Sequence, residues 1–365
     1  MKFVRTDDLK IGMRLAKPIY NKKGVLLYER DSKITAQGIE SVRNFGLIGI
    51  YILEPAEPLP PMTQDDIEFE RFQAVEVFEI MDELQSIARV NRHVKIYTVA
   101  QTIIKQYGRL DHKINFVQNL RSANDFVYKH SLNVAMLCAM ISHKMNIRPT
   151  EQEELVVAAI VHACGIVSKD ERNNPTMMPE DEQIAKRLEY SGIAKIESVF
   201  LASPAIKRTV LQAYREVNSF YGKEDLSQHR VVDSAKIMIV ADEYDRMTAM
   251  NSVGEAPNSE IYALRHFLNH PEIYDPAVVN ALVESINFLS EGCCVELSNG
   301  EKGLVIQHNP RNVLRPMVLV FSSNKIVDLG QTLYYGDLEI VDIMKTLDNR
   351  HVMDMDLLNQ YSNKN

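Results

Sequence analysis

From about Val99 to Leu289 nearly every segment repeats its apolar residues at three- and four-residue spacing, with few β-type alternations. A stretch that long with a single period is expected to fold as an all-α bundle. The flanks follow another rule. Residues 1–54 and 292–344 run in short alternating segments broken by Gly, Asn and Ser, as short strands and turns do. The expected fold is therefore mainly α, a helical bundle with a small N-terminal α+β module and a small C-terminal β-extension.

Proline marks the first boundary. Pro55, Pro58, Pro60 and Pro61 fall within EPAEPLPPM, which neither a helix nor a central strand would tolerate. The chain is read as an α+β module over 1–54, a Pro-rich linker over 55–64, connecting helices over 65–122, the helical domain over 123–289, the β-extension over 290–344 and a polar tail over 345–365. In the first module a turn at Asn21 to Gly24 joins two strands, Thr35 caps a helix and Gly46 stops it. In the connecting segment Phe72, Val75, Phe78, Ile80 and Leu84 form an amphipathic stripe, which can pack on its own domain or pair two copies as a homodimer. Ser298 to Gly300 is a hairpin signal in the extension.

Charge and cysteine usage narrow the partners. The 41 Lys and Arg residues face 49 Asp and Glu, a net charge of -8, and no stretch gathers the bases into a stripe. Nucleic acid is thus not an expected partner. Cys138, Cys164, Cys293 and Cys294 form no CxxC pair, which fits reduced thiols. Acids stand in the N-terminus where a secretory signal would be apolar, and no window approaches the roughly 20 apolar residues of a membrane helix. A cytoplasmic protein without membrane insertion is expected.

Chemistry, if any, lies in the bundle. His130 is in step with Val127, Val134, Leu137 and Ile141, and His162 with Leu155, Ala159 and Ile166, so both should point inward. Asp242 shares an apolar helix face with Ala235, Met238 and Asp245, and a buried carboxylate needs a cation, a hydrogen-bond network or a metal. Two imidazoles and a carboxylate can hold a divalent transition metal with positions left open. Hydrogen-bonded core histidines are the other reading, and spacing does not show that the three residues meet.

At this point the motifs carry a resemblance. YKHSLNVAMLCAMIS, VVAAIVHACGIV and AKIMIVADEYDRMTA, in that order, resemble the bacterial HD-GYP phosphodiesterases of the HD-domain phosphohydrolase superfamily. DDLKIGMRLAKPIYNKKGVLLYER and VELSNGEKGLVIQHNPRNVLRPMVLV resemble modules that often flank such domains. The resemblance implies an HD-domain bundle, cyclic di-GMP as ligand, and a site of two or three iron or manganese ions whose bound hydroxide attacks phosphorus. It places His130, His162 and Asp242 on metal-ligand positions. It also puts Ala163 where the aspartate of the HD pair should stand and Ile166 where a lysine is expected. Leu188 replaces a histidine before Gly192, and AYREVNSFYGK over Ala213 to Lys223 lacks both the histidine pair and the Gly-Tyr-Pro loop. A methyl group cannot bridge two cations, so the implied reading is a catalytically degenerate protein. It would act as a binding or interaction scaffold in cyclic di-GMP-related signalling, with a cyclic dinucleotide or a signalling protein as partner. No catalytic or cofactor-binding residues are assigned and no cofactor is required; His130, His162 and Asp242 are a vestigial set for iron or manganese. The alternative is a phosphohydrolase with a rearranged one-metal site on the same three residues.

Other residues read as structural. Asp245 is either a support behind Asp242 or, the preferred reading, a solvated helix position; Cys164 is a small core residue rather than a soft ligand or nucleophile, and Lys207, Arg208 and Arg215 are solvated charges rather than phosphate contacts. His266 and His270 stand four apart, but Pro271 puts His270 at a helix end. Cys293 and Cys294, adjacent in a strand, should face opposite sides.

Overall fold

A computed structural model of the chain describes residues 2–20, 26–44, 49–53, 63–118, 120–121, 125–167, 182–222, 230–251, 258–289 and 291–343. The Asn21 to Gly24 turn, Gly46, the four linker prolines and the tail from Lys345 lie outside the described residues. The chain divides into two compact units, Lys2–Pro257 with Phe267–Ile286, and Asn258–His266 with Asn287–Asn365.

The larger unit begins with β1 (Lys2–Arg5), β2 (Arg14–Leu15), β3 (Ile19–Tyr20), β4 (Leu26–Tyr28), α1 (Ala36–Asn44) and β5 (Gly49–Leu53). β5 lies between β1 and β2 in an antiparallel sheet, and β3 pairs with β4. Leu9, Leu15, Ile34, Val42, Ile50 and Ile52 are the small core beneath α1. Thr35 caps α1 as its sequence suggests, its hydroxyl accepting from the Gly38 N–H at 3.1 Å. The strand expected before the Asn21 to Gly24 turn is two short pieces, because residues 16–18 leave the ladder between them.

The helices follow as α2 (Gln64–Val90), α3 (Ile96–Tyr107), α4 (Phe126–Lys144), α5 (Pro149–Val161), α6 (Glu182–Val199), α7 (Pro204–Tyr221), α8 (Asp233–Thr248), α9 (Glu260–Asn269) and α10 (Pro276–Ser285). Between them, β6 (Leu120–Arg121) pairs in parallel with β7 (Met250–Asn251). α2 opens with a capping box in which Thr63 and Asp66 satisfy each other's backbone N–H groups. Its buried stripe differs from the expected one. Phe69, Val77, Ile80, Leu84 and Ile87 are buried, whereas Phe72, Val75 and Phe78 are only half-buried. Two polar residues explain the rotation. Gln73 donates to Asn133 at 2.9 Å, and Glu83 accepts the N–H groups of Val94 and Lys95 at the start of α3, so both must face inward.

α4 is the hub of the larger unit. It packs on α2, α3, α5, α8 and α10, and every residue from Phe126 to Ser142 except Lys129 is buried. A helix apolar on all sides, AMLCAMI at its centre, has no solvent face to offer. α5 begins at Pro149, suited to the first helical position, and its run Leu155 to Val161 is wholly buried.

Glycine fixes how α6 meets the turn after α5. A Cβ at Gly165 would collide with the carbonyl oxygen of Leu188, and one at Gly192 would sit 3.0 Å from the Gly165 amide nitrogen.

The smaller unit holds β8 (Cys294–Leu297), β9 (Lys302–Gln307), β10 (Met317–Val320), β11 (Lys325–Asp328), α11 (Thr332–Tyr335) and β12 (Ile340–Ile343). The strands form one sheet in the order β11-β10-β9-β8-β12, with every described pairing antiparallel. Ser298 to Gly300 is the β8–β9 turn, and Gly300 takes the left-handed φ of 80° there. Cys293 and Cys294 are free thiols.

Two outcomes test this packing. Gly165→Ala is expected to cost about 2 kcal/mol or more in urea unfolding, and Gly192→Ala, whose neighbours need give only slightly, clearly less. Asp275 caps α10 through the Ala277 N–H and accepts from Lys236 at 2.8 Å; burial pushes its carboxyl up, but these donors outweigh it and the net shift is downward. Its contribution is thus present above the unfolded carboxylate range and lost as pH falls through the lower folded value. The stability gap between wild type and Asp275→Asn, followed from pH 6 downward, is expected to close in the acid range.

Candidate metal centre

Three helices bring the expected ligands together. α4 supplies His130, the residue closing α5 is His162, and α8 supplies Asp242. His130 Nε2 lies 2.9 Å from Asp242 Oδ1 and 3.0 Å from His162 Nε2, and His162 Nε2 lies 3.2 Å from the same oxygen. The three atoms form a near-equilateral triangle buried in the unit.

The far side of each ring decides what the triangle offers. His130 Nδ1 is 2.6 Å from Asp245 Oδ2, and His162 Nδ1 is 2.6 Å from the Ala159 carbonyl oxygen. Both partners are acceptors, so each Nδ1 carries a proton, and a ring that is neutral turns its lone pair inward at Nε2. Asp242 Oδ1 is buried and accepts no hydrogen bond. Three acceptors therefore face one another at contact distance, an arrangement that calls for a cation among them. Ligand atoms about 2.1 Å from an ion at right angles stand about 3 Å apart, which is the size of this triangle. The residues fit one divalent transition metal.

Asp245 corrects the expectation that it is solvated. It is fully buried and is the anchor of a network: Arg121 Nη2 donates to Oδ1 at 2.5 Å, Asn133 Nδ2 at 3.0 Å and Gln118 Nε2 at 3.2 Å, while Oδ2 holds His130. Gln118 also reaches Thr248, and Asn133 donates back to Gln118. The β6–β7 pairing sets Arg121 beside the end of α8, and its guanidinium lies 5.3 Å over the Phe126 ring. Phe126 in turn stacks on His130.

Asp242 is satisfied on its other side by Arg246, one turn on, whose Nε donates to Oδ2 at 2.8 Å. Burial pushes both aspartates up, yet the Arg246 guanidinium holds Asp242 well below the usual carboxylate range, and Arg121 and His130 do the same for Asp245. Burial pulls His162 down by more than Asp242 raises it, which favours the neutral ring. The Tyr214 hydroxyl donates to the His162 carbonyl at 2.7 Å and fixes the end of α5.

The other residues lie apart from this centre. Ala163 is buried, Ile166 is half-buried and Leu188 is half-buried beside Gly192. Cys164 is a core residue whose thiol is pushed up to about 12 by burial. Arg208 and Arg215 are exposed, and Lys207 pairs with Glu197. His270 follows the end of α9 and meets Glu272 at 2.9 Å. Among the described residues His130, His162 and Asp242 are the group whose donor atoms converge closely enough to hold an ion. Sequence reasoning missed Arg121, Gln118 and Asn133; of these only Asn133, in step with His130, carried a periodic signal.

The part of the chain that holds these residues is similar to known proteins. Residues 127–247 match the HD domain family, a span that contains all three converging residues. The chain is 22% identical over 223 residues to a protein of Pseudomonas aeruginosa named as a cyclic di-GMP phosphodiesterase, covering 58% of this chain and 54% of that protein. The chain thus spans about half the length of that relative. No solved structure matches it.

Cutting the anchor is the direct test of the network. Asp245→Asn is expected to lose about 3 kcal/mol of unfolding free energy, because it leaves the Arg121 guanidinium buried without its counter-charge. Replacing both residues with apolar ones of similar size, Arg121→Met with Asp245→Leu, should recover part of that loss, which a denaturant series of the single and double variants would measure.

Proposed function

The chain carries an HD domain over residues 127–247, and from that premise we propose that it is a catalytically degenerate HD-GYP-type signalling protein. It keeps a one-ion centre on His130, His162 and Asp242 and serves as a binding or interaction scaffold in cyclic di-GMP-related signalling. The observation that carries this reading is ligand arithmetic. Three donor atoms converge, the neighbouring position that would have to bridge a second cation is the buried methyl of Ala163, and Asp245 is fully engaged by Arg121, Asn133, Gln118 and His130. Among the described residues the set suits one ion and leaves too few donors for two.

An ion at this centre would act as a Lewis acid toward a phosphate oxygen or a water. The residues' own part is to present two oriented imidazoles and one carboxylate, with Asp245 and the Ala159 carbonyl fixing the rings. The HD domain is read as the ligand-responsive part of residues 123–289. The module over 1–54 is read as having a structural or docking role. A cytoplasmic setting fits the absence, among the described residues, of a helix long and apolar enough to cross a membrane.

One observation favours a second reading. Three ligands leave coordination positions open, which is what a one-metal phosphohydrolase would need. Incubating the purified chain with cyclic di-GMP and manganese or iron separates the two. No turnover, with metal retained by wild type and lost in His162→Ala, is the expected result. Turnover that His162→Ala abolishes would replace the scaffold reading with the phosphohydrolase.

A further inference from the structure

Residues 16–18 leave the ladder between β2 and β3, and Pro18, which has no N–H to give, holds the residue before it in an extended form. Lys17 occupies that gap. Its ammonium donates to the Gln118 carbonyl at 3.3 Å, 101 residues further along the chain, and lies 3.6 Å from Glu70 Oε1 of α2. The side chain is 22% exposed, so most of it is covered where the N-terminal module meets α2 and the segment before β6. This seat is not closed. Glu70 Oε2 is buried and, among the described residues, has no partner. An unmet buried oxygen raises the energy of the seating and so lowers the cost of leaving it.

Gln118 passes the contact on. It lies in neither helix nor strand, so no regular ladder holds its backbone. Its side chain, by contrast, has no slack. The amide nitrogen donates to Asp245 Oδ1 at 3.2 Å and to the Thr248 hydroxyl at 2.9 Å, and the amide oxygen accepts from Arg121 at 3.1 Å and from Asn133 at 3.0 Å. A side chain held that firmly transmits a backbone shift instead of absorbing it. From Asp245 a further bond, at 2.6 Å, reaches His130 Nδ1. Lys17 thus stands three hydrogen bonds from a ring of the triangle.

We propose that Lys17 is a positioning residue of the centre, and that through it the seating of the N-terminal module on α2 sets how well the centre holds an ion. Drawing Lys17 off the Gln118 carbonyl frees that backbone, loosens Gln118 from Asp245 and leaves the His130 ring less firmly oriented. The group behind a histidine ring tunes that ring as a metal ligand. The module is then an input to the helical domain as well as an attachment to it. The effect on the ion rests on the one-ion reading, whereas the effect on the His130 ring stands without it.

The test uses the full-length protein as wild type, as Lys17→Met, which keeps the stem and removes the donors, and as Lys17→Arg, which keeps a charge and donors. Proton NMR of metal-free samples reads the His130 Nδ1–H, a low-field resonance identified by its loss in His130→Gln. It is expected to shift in Lys17→Met and to return toward the wild-type position in Lys17→Arg. A lysine that merely clips the module in place would cost stability on removal and leave that proton unmoved. Calorimetric titration with manganese should show affinity weakened about threefold to tenfold in Lys17→Met, less than is usual for a group bonded directly to a ligand. A wild type without the resonance, or a resonance that Lys17→Met leaves in place, overturns the proposal. So does unchanged manganese affinity in Lys17→Met where wild type binds the ion. Wild type that binds no manganese refutes the one-ion reading instead, and the resonance alone then decides the positioning role. If Lys17→Met fails to fold, Lys17→Gln, too short to reach the Gln118 carbonyl, is read in its place.

Discussion

A carboxylate removed from water dictates the rest of this site. Asp245 receives donors from Arg121 of β6, from Gln118 two residues before that strand and from Asn133 of α4, and it sits on α8, so a single side chain ties together three parts of the larger unit. In an interior of low dielectric such a group is strongly unfavourable unless every oxygen is met by a donor, and the partners cannot be removed singly without exposing that cost. The same bond to His130 Nδ1 fixes the ring and its tautomer. The inward lone pair of Nε2 is thus a consequence of the network that holds the helices.

From that constraint follows a centre that asks for positive charge. Two imidazole nitrogens and one carboxylate oxygen meet, and the chain answers with one cation of its own, Arg246, on the outer oxygen of Asp242. Ala163, a small buried side chain beside His162, sits in the core with α5, α7 and the Tyr214 contact in place. On the proposed reading, the fold keeps an ordered one-ion centre without a carboxylate at position 163. That is the physical sense in which the domain is read as degenerate and still functional.

Much of this was legible in the chain and some was not. The helical period placed His130, His162 and Asp242 on inward faces, and the structure brings them within contact, because three apolar helices sharing one core bury whatever polar residues lie in their stripes. The Ser298 to Gly300 hairpin and the Thr35 cap were local signals and were readable for that reason. Asp245 was misread. It shares the inward face of α8 with Ala235, Met238 and Asp242, but its immediate neighbours are polar, and the approach of Arg121 from a two-residue strand that encloses it has no signal in the helical period. Likewise the stripe of α2 was rotated by Gln73 and Glu83, whose inward hydrogen bonds outweigh the pull of Phe72 and Phe78. Long-range polar pairing leaves no periodic trace, so pattern reasoning does not see it.

The central claim is a count of ions. Anomalous diffraction at the manganese edge, from crystals of the full chain grown with manganese, reads that count at the site itself. One peak, within bonding reach of His130 Nε2, His162 Nε2 and Asp242 Oδ1, is the result the account requires. Two peaks about 3.5–4 Å apart, the spacing of a two-metal hydrolytic centre, or no peak at all, would contradict it.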